Sequence, residues 1–152
     1  MPQPYKPRKN CLICGKHPKR ASYNCCSNKC RAEHTYQTYI ESWKRGEIIG
    51  LQGLGIVSNY IKRYLRRKYS DACCLCGWNE INPSLGKSPL VADHIDGNWR
   101  NNAESNLRLI CPNCDALTPT YAGLNRGRGR GNRKRSRRAW EGKIFMLRNT
   151  PN

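Results

Sequence analysis

Acidic side chains are scarce in this chain. Its 152 residues carry 10 Asp and Glu against 28 Lys and Arg, a formal net charge of +18. Between residues 56 and 70 there is no carboxylate at all. This balance points to a polyanionic partner. Nucleic acid is the default, because Lys and Arg neutralise phosphates whatever the base sequence. Apolar residues are scarce too, at 38%, with nine prolines, thirteen glycines and a mean hydropathy of −0.83. A large apolar core is therefore not expected. Long apolar runs are missing, which argues against a transmembrane span or a membrane anchor. The opening MPQPYKPRKN lacks the apolar stretch of a secretory signal, so a reducing cytoplasm is the expected setting.

Cysteine is abundant, and it supplies what a small core cannot. Eight of the ten cysteines form four close pairs: Cys11 and Cys14, Cys26 and Cys30, Cys73 and Cys76, Cys111 and Cys114. Cys25 and Cys74 are left over. A disulfide framework is the competing reading, but four small-loop pairs favour zinc thiolates. Cys73-x-x-Cys76 and Cys111-x-x-Cys114 are separated by 34 intervening residues and offer four soft ligands for one tetrahedral zinc. No ligand position is left for water, so this metal is expected to be structural. In the first set, eleven residues separate the halves, which suits a compact finger. Cys25 could replace Cys26 there, and His34 could replace Cys30. The nearby Lys9, Lys16, Lys19, Arg20, Lys29 and Arg31 tilt that finger toward DNA. The chain stays strongly basic after eight thiolates have bound two zinc ions.

Four regions follow: an N-terminal zinc finger at 1–35, a helix and glycine-rich linker at 36–57, a second domain at 58–125, and a basic, flexible tail at 126–152. A helix is expected after Cys30, with Ala32, Tyr36, Tyr39, Ile40 and Trp43 on one face. Glycines at 50, 53 and 55 would end it and leave a flexible connector. A second helix starts after Ser58, a natural N-cap, with Val57, Ile61, Tyr64 and Leu65 as its apolar stripe. Its other side carries Lys62, Arg63, Arg66 and Arg67. A surface meant only for solubility would mix signs, so these residues are assigned to phosphate contact. Residues 89–93 read as a strand, IDGNWRNN as a loop, 107–110 as a second strand, and DALTPTYAGLN as the start of a short helix. The result is a small α+β fold. The tail RGRGRGNRKRSRR has eight basic residues in thirteen and no acid. Arg126, Arg128, Arg130, Arg133, Lys134, Arg135, Arg137 and Arg138 are expected to add salt-sensitive DNA affinity.

One polar constellation resists explanation by turns alone. Asp93 and His94 adjoin at a strand end, Asn106 precedes the next strand, and Asp115 follows the second knuckle. Phosphodiester hydrolysis needs an activated water, charge neutralisation on phosphate and help for the leaving oxygen. A histidine can take the water's proton. A carboxylate-bound magnesium can neutralise charge, and it keeps several waters, so two protein ligands suffice.

The run DHIDGNWRNNAESNLRLICPNCD, with CLCGW before it and TPTYAGLN after it, resembles the HNH endonuclease motif, most of all that of small phage-encoded HNH proteins. The resemblance implies a ββα-metal nuclease domain stapled by the second zinc. It implies His94 as general base, Asp93 as a ligand of the catalytic divalent metal, and Asn106 as the middle asparagine holding the loop that carries the base. Asp115 falls where the family places a histidine or asparagine ligand. Its oxygen favours magnesium or manganese over softer metals. Asn125 is a further candidate. The implied activity is metal-dependent DNA cleavage, nicking one strand per site, with a homodimer or two encounters needed for a double-strand cut. Relatives of this kind include homing-type nucleases and nucleases that assist phage packaging, so a packaging partner is a further candidate and a bacterial host cytoplasm the implied location. A non-catalytic zinc-finger DNA-binding protein is the alternative.

Overall fold

The computed structural model describes residues 9–53 and 55–127. They form a small α+β structure with two two-stranded sheets. The chain falls into two compact units divided between Arg45 and Gly46.

The first unit joins a cysteine cluster to α1 (Asn28–Lys44). The Ser27 hydroxyl caps α1, accepting from the Cys30 N–H at 3.2 Å. The helix therefore begins within the cysteine set rather than after it. Its buried face is Tyr36, Ile40 and Trp43, at the spacing one helix side requires. Ala32 is exposed and Tyr39 half-buried, so the stripe is narrower than expected. The sulfurs of Cys11, Cys14, Cys26 and Cys30 lie within 4.8 Å of one another. Cys26 and Cys30, not Cys25 or His34, complete that group.

The second unit opens with a hairpin of β1 (Leu51–Gln52) and β2 (Ile56–Val57). It is built from the glycine-rich stretch. Gly55 has φ +79°, and a Cβ there would stand 2.5 Å from a ring carbon of Trp99. The missing side chain is thus what lets the indole approach. Ser58 caps α2 (Asn59–Lys68), as its sequence context indicates, accepting from Tyr60 N at 3.2 Å. Ile61 and Leu65 are fully buried on one side of α2. That helix packs on β4 (Leu107–Ile110), which pairs antiparallel with β3 (Val91–His94). Leu107, Leu109 and Ile110 are buried at 2% exposure or less and form the centre of the unit with the α2 residues. Tyr64 on α2 donates its hydroxyl to Glu104, and Lys68 pairs with the same carboxylate at 3.0 Å.

The helix expected after Cys114 starts earlier, as α3 (Pro112–Ala116). Proline suits the first helical position, and the Cys111 sulfur caps it by accepting from Cys114 N. Among the described residues beyond Ala116, only a 3-10 turn at Ala122–Leu124 follows. The sulfurs of Cys73, Cys76, Cys111 and Cys114 again lie within 4.8 Å of one another. Closest sulfur separations in the two clusters run from 3.3 to 3.8 Å. A zinc tetrahedron with bonds of about 2.3 Å needs edges of about 3.8 Å, so both groups are compatible with zinc. Backbone N–H groups of Cys14, Ile13 and Cys26 bring the Cys11 thiol down to about 6. Burial pushes Cys73 up, but N–H groups of Cys111, Cys76 and Leu75 outweigh it and bring it to about 6. Cys74, which stays outside, donates its N–H to Leu109 O at 2.9 Å and ties the first knuckle to β4.

Purified protein is expected to release about two zinc equivalents per chain to a colorimetric chelator. Cys111→Ser keeps a helix-capping oxygen but removes a thiolate. It should release about one equivalent and abolish the cooperative melting of the second unit. Full zinc retention by this variant would contradict the assignment.

Candidate functional site

The cleft is built at the end of β3, where side chains alternate between faces. Asp93 lies opposite Arg108 in the register and accepts its Nε–H at 2.8 Å. These side chains are only 12% and 19% exposed. Asp115, on α3, feels both of them. Burial raises its carboxyl above the usual range, the Asp93 charge raises it further, and Arg108 pulls it back. Two carboxylates against one guanidinium leave one uncompensated negative charge. Arg108 engages Asp93 Oδ2, so Oδ1 remains available to a cation.

His94 points from the next strand position. Its Nε2 lies 2.9 Å from Asn102 Oδ1. The Asn102 amide nitrogen donates to Trp99 O and Arg100 O, both at 3.3 Å, which sets which end is oxygen. An oxygen facing Nε2 requires the proton on Nε2. Nδ1 is then the nitrogen that can accept one.

The loop from 95 to 106 is held by a second asparagine. Asn106 donates to Asp96 Oδ1 and Asn101 O, both at 2.8 Å, and accepts from Asp96 N at 3.0 Å. Its carbonyl accepts from Ile95 N, next to the histidine. Asp96 also accepts from Asn98 N and Asn101 Nδ2, each at 2.8 Å. Burial works against the Asp96 charge, but these donors, Asn101 first, hold its carboxyl below the usual range. Asn106 acts on the loop backbone and does not line the cleft.

Asp93, His94 and Asp115 share one cleft of about 340 Å³ with Gly97, Trp99 and Asn125 among its walls. Asn125 donates to Gly97 O at 2.6 Å. Gly97 has φ +70°, and a Cβ there would come 2.6 Å from Asn125 Oδ1. Asn125 thus braces the loop from the far side. Lys62, Arg63, Arg66 and Arg67 line a larger neighbouring cleft of about 830 Å³. Arg126 is exposed. Arg128, Arg130, Arg133, Lys134, Arg135, Arg137 and Arg138 lie outside the described residues.

Three residues of this network escaped the sequence reading. Asn102 and Asp96 fall in the stretch IDGNWRNN, which reads as a loop, yet Asn102 is 4% exposed and bonds the histidine. The asparagine doublet 101–102 was the available signal. Arg108 was hidden in a strand otherwise apolar, and that mismatch was itself the clue.

A curated relative shares part of this sequence. The chain is 62% identical over 40 residues, 26% of its length, to the H-N-H endonuclease F-TflIV of Escherichia phage T5. The matched stretch covers 18% of that relative, so the chain spans under a fifth of its length. The match supports assignment to the HNH endonuclease family, which the motif at Asp93–His94 had indicated. No protein-family model and no solved structure matches. No helix among the described residues is long and apolar enough to cross a membrane.

The raised Asp115 carboxyl carries a sign. A carboxylate shifted upward in the fold destabilises the folded state at neutral pH, and that penalty fades as pH falls through its range. Asp115→Asn should therefore raise the metal-free melting temperature at pH 7 slightly, by at most about 3 °C. If Asp115 is a ligand of a divalent cation, the substitution should also cancel any further stabilisation that magnesium or manganese gives the wild type. Differential scanning fluorimetry with and without the metal measures both. A variant that magnesium stabilises as much as the wild type would remove Asp115 from the metal site.

Proposed function

We propose that this protein is a metal-dependent DNA endonuclease with a ββα-metal site, in which His94 is the general base. The observation that carries the reading is the convergence of His94, Asp93 and Asp115 on one cleft, with the histidine tautomer set by Asn102. Asp93 and Asp115 are hard oxygen donors with one uncompensated charge, which suits magnesium or manganese. Bound there, the cation would neutralise the phosphate and stabilise the departing alkoxide. The rest falls to the chain's own groups. His94 Nδ1 accepts a proton from water, and the resulting hydroxide attacks phosphorus. The bond from phosphorus to the leaving sugar oxygen breaks, that oxygen takes a proton from a solvent water, and His94 returns its own proton to solvent. Asn102 holds the imidazolium through Nε2–H. Asn106 and Asp96 keep the loop that supports it in place, and Arg108 holds Asp93.

One base and one metal site make one in-line attack, so the product is a nick. The H-N-H endonuclease relative in a phage supports nuclease activity in general and a phage-associated setting. A cysteine-cluster unit ahead of the cutting unit suits a homing-type nuclease that carries its own targeting element.

Supercoiled plasmid tests this. Wild type with magnesium or manganese should yield nicked circles, and EDTA should stop the reaction. His94→Ala should lower the rate by about 10²–10⁴-fold while leaving DNA binding in place. Tight binding with no nicking by wild type in any metal would favour a non-catalytic DNA-binding protein instead. Asn102→Asp offers a finer check. A carboxylate at Nε2 stabilises the imidazolium, so the acidic limb of the pH–rate profile should move to higher pH. An unmoved limb would mean that Asn102 does not act through His94.

A further inference from the structure

The larger cleft has two walls of different origin. One is α2, with Lys62, Arg63 and Arg67. The other is the turn from Asn82 to Ser88, which carries Lys87. This turn is rigid by its own bonds. Asn82 and Lys87 form a bridge, and the Asn82 side chain accepts from Ser84 N at 2.9 Å and Leu85 N at 3.1 Å. Arg66, which the sequence reading assigned to DNA, is committed elsewhere. It pairs with Asp71 at 2.6 Å and donates to Ser88 O at 2.8 Å. Arg66 thus braces the turn against the helix and sets the spacing of the walls. Among the described residues, Asp71 is the one acid lining this cleft, and Arg66 has already paired with it.

The position of this groove matters as much as its charge. Val91, Ala92 and His94 of β3 line both clefts. Among the described residues β3 pairs only with β4, so its other edge is open. A phosphate at His94 therefore sits at the mouth of a cationic groove. The groove lining includes Leu90, Val91 and Leu109, which suits the apolar edges of deoxyribose. α2 has ten residues, about 15 Å of helix, and one strand of B-DNA offers a phosphate about every 3.4 Å along its axis.

We infer that this groove holds the backbone of the cleaved DNA strand on one side of the scissile phosphate, gripping about four consecutive phosphates between α2 and the Lys87 turn. The inference rests on the nuclease reading for its orientation but not for its binding chemistry. It makes recognition lopsided: one flank of the nick is clamped and the other is not clamped by these walls.

Full-length His94→Ala protein, which binds without cutting, provides the test. Its affinity for a duplex is measured against salt concentration, alone and with Lys62→Ala/Lys87→Ala added. The double substitution should reduce the log–log slope by about 1.8, at about 0.9 for each phosphate that is no longer neutralised. Duplexes with single neutral methylphosphonates, placed stepwise around the wild-type nick site, then locate the grip. Weakening should fall on one flank only and vanish in the double variant. An unchanged slope, or equal weakening on both flanks that the double variant retains, overturns the inference. If wild type never nicks but the slope still falls, the nuclease reading fails and the groove stands as a phosphate-binding surface.

Discussion

The sulfur group around Cys111 is the constraint on which the second unit depends. Cys111 closes β4, caps α3 and belongs to the tetrad with Cys73, Cys76 and Cys114. Because it does all three, the end of the strand, the start of the helix and the segment after α2 are held at one point. Asp115 is one residue past Cys114, on a helix five residues long. So short a helix has little stability of its own. The position of Asp115 relative to Asp93 is consequently inherited from the cysteine group rather than from helix packing. Metals of two different chemical tastes can then coexist in one small unit. Thiolates suit zinc, and the carboxylates suit a harder ion.

The loop from 95 to 106 is the second support, and it works by saturation. Nearly every polar side chain in it has a partner inside it, with Asp96 and Asn106 exchanging bonds in both directions. Such a closed network costs little to bury and leaves few alternative arrangements. It ends on Asn102, so the order it creates is delivered to one nitrogen of His94. Asparagine 125 holds the same loop from outside, through the carbonyl of Gly97.

Much of this was legible in the residues. Ser58 before an apolar stripe marked α2, and cysteine spacing marked both clusters. The strand–loop–strand order was readable from apolar runs broken by turn formers. What was not legible depended on contacts across the chain. The start of α3 moved because the Cys111 sulfur acts as a cap, a role that spacing alone does not reveal. Glycines 50, 53 and 55 suggested a connector, yet the stretch pairs as a hairpin whose Gly55 seats Trp99, a residue more than forty positions away. Arg66 looked like its neighbours on a basic face. Its bonds to Ser88 O and to the carboxylate of Asp71 join it to residues that the helical pattern does not connect to it. In the site, Asp93 and His94 stood out, whereas Asn102 hid among asparagines typical of turns.

The ion pair of Arg108 with Asp93 has a thermodynamic consequence for the proposed nuclease. With that guanidinium in place, the two carboxylates present a single net negative charge, so a divalent cation held there would leave the cleft with one net positive charge. A DNA phosphate entering the cleft would supply the missing charge. Cation and DNA then become linked ligands, each raising the affinity of the other by the same factor. In the proposed nuclease, an arginine inside the cleft would thus make cation and substrate complete each other's electrostatics.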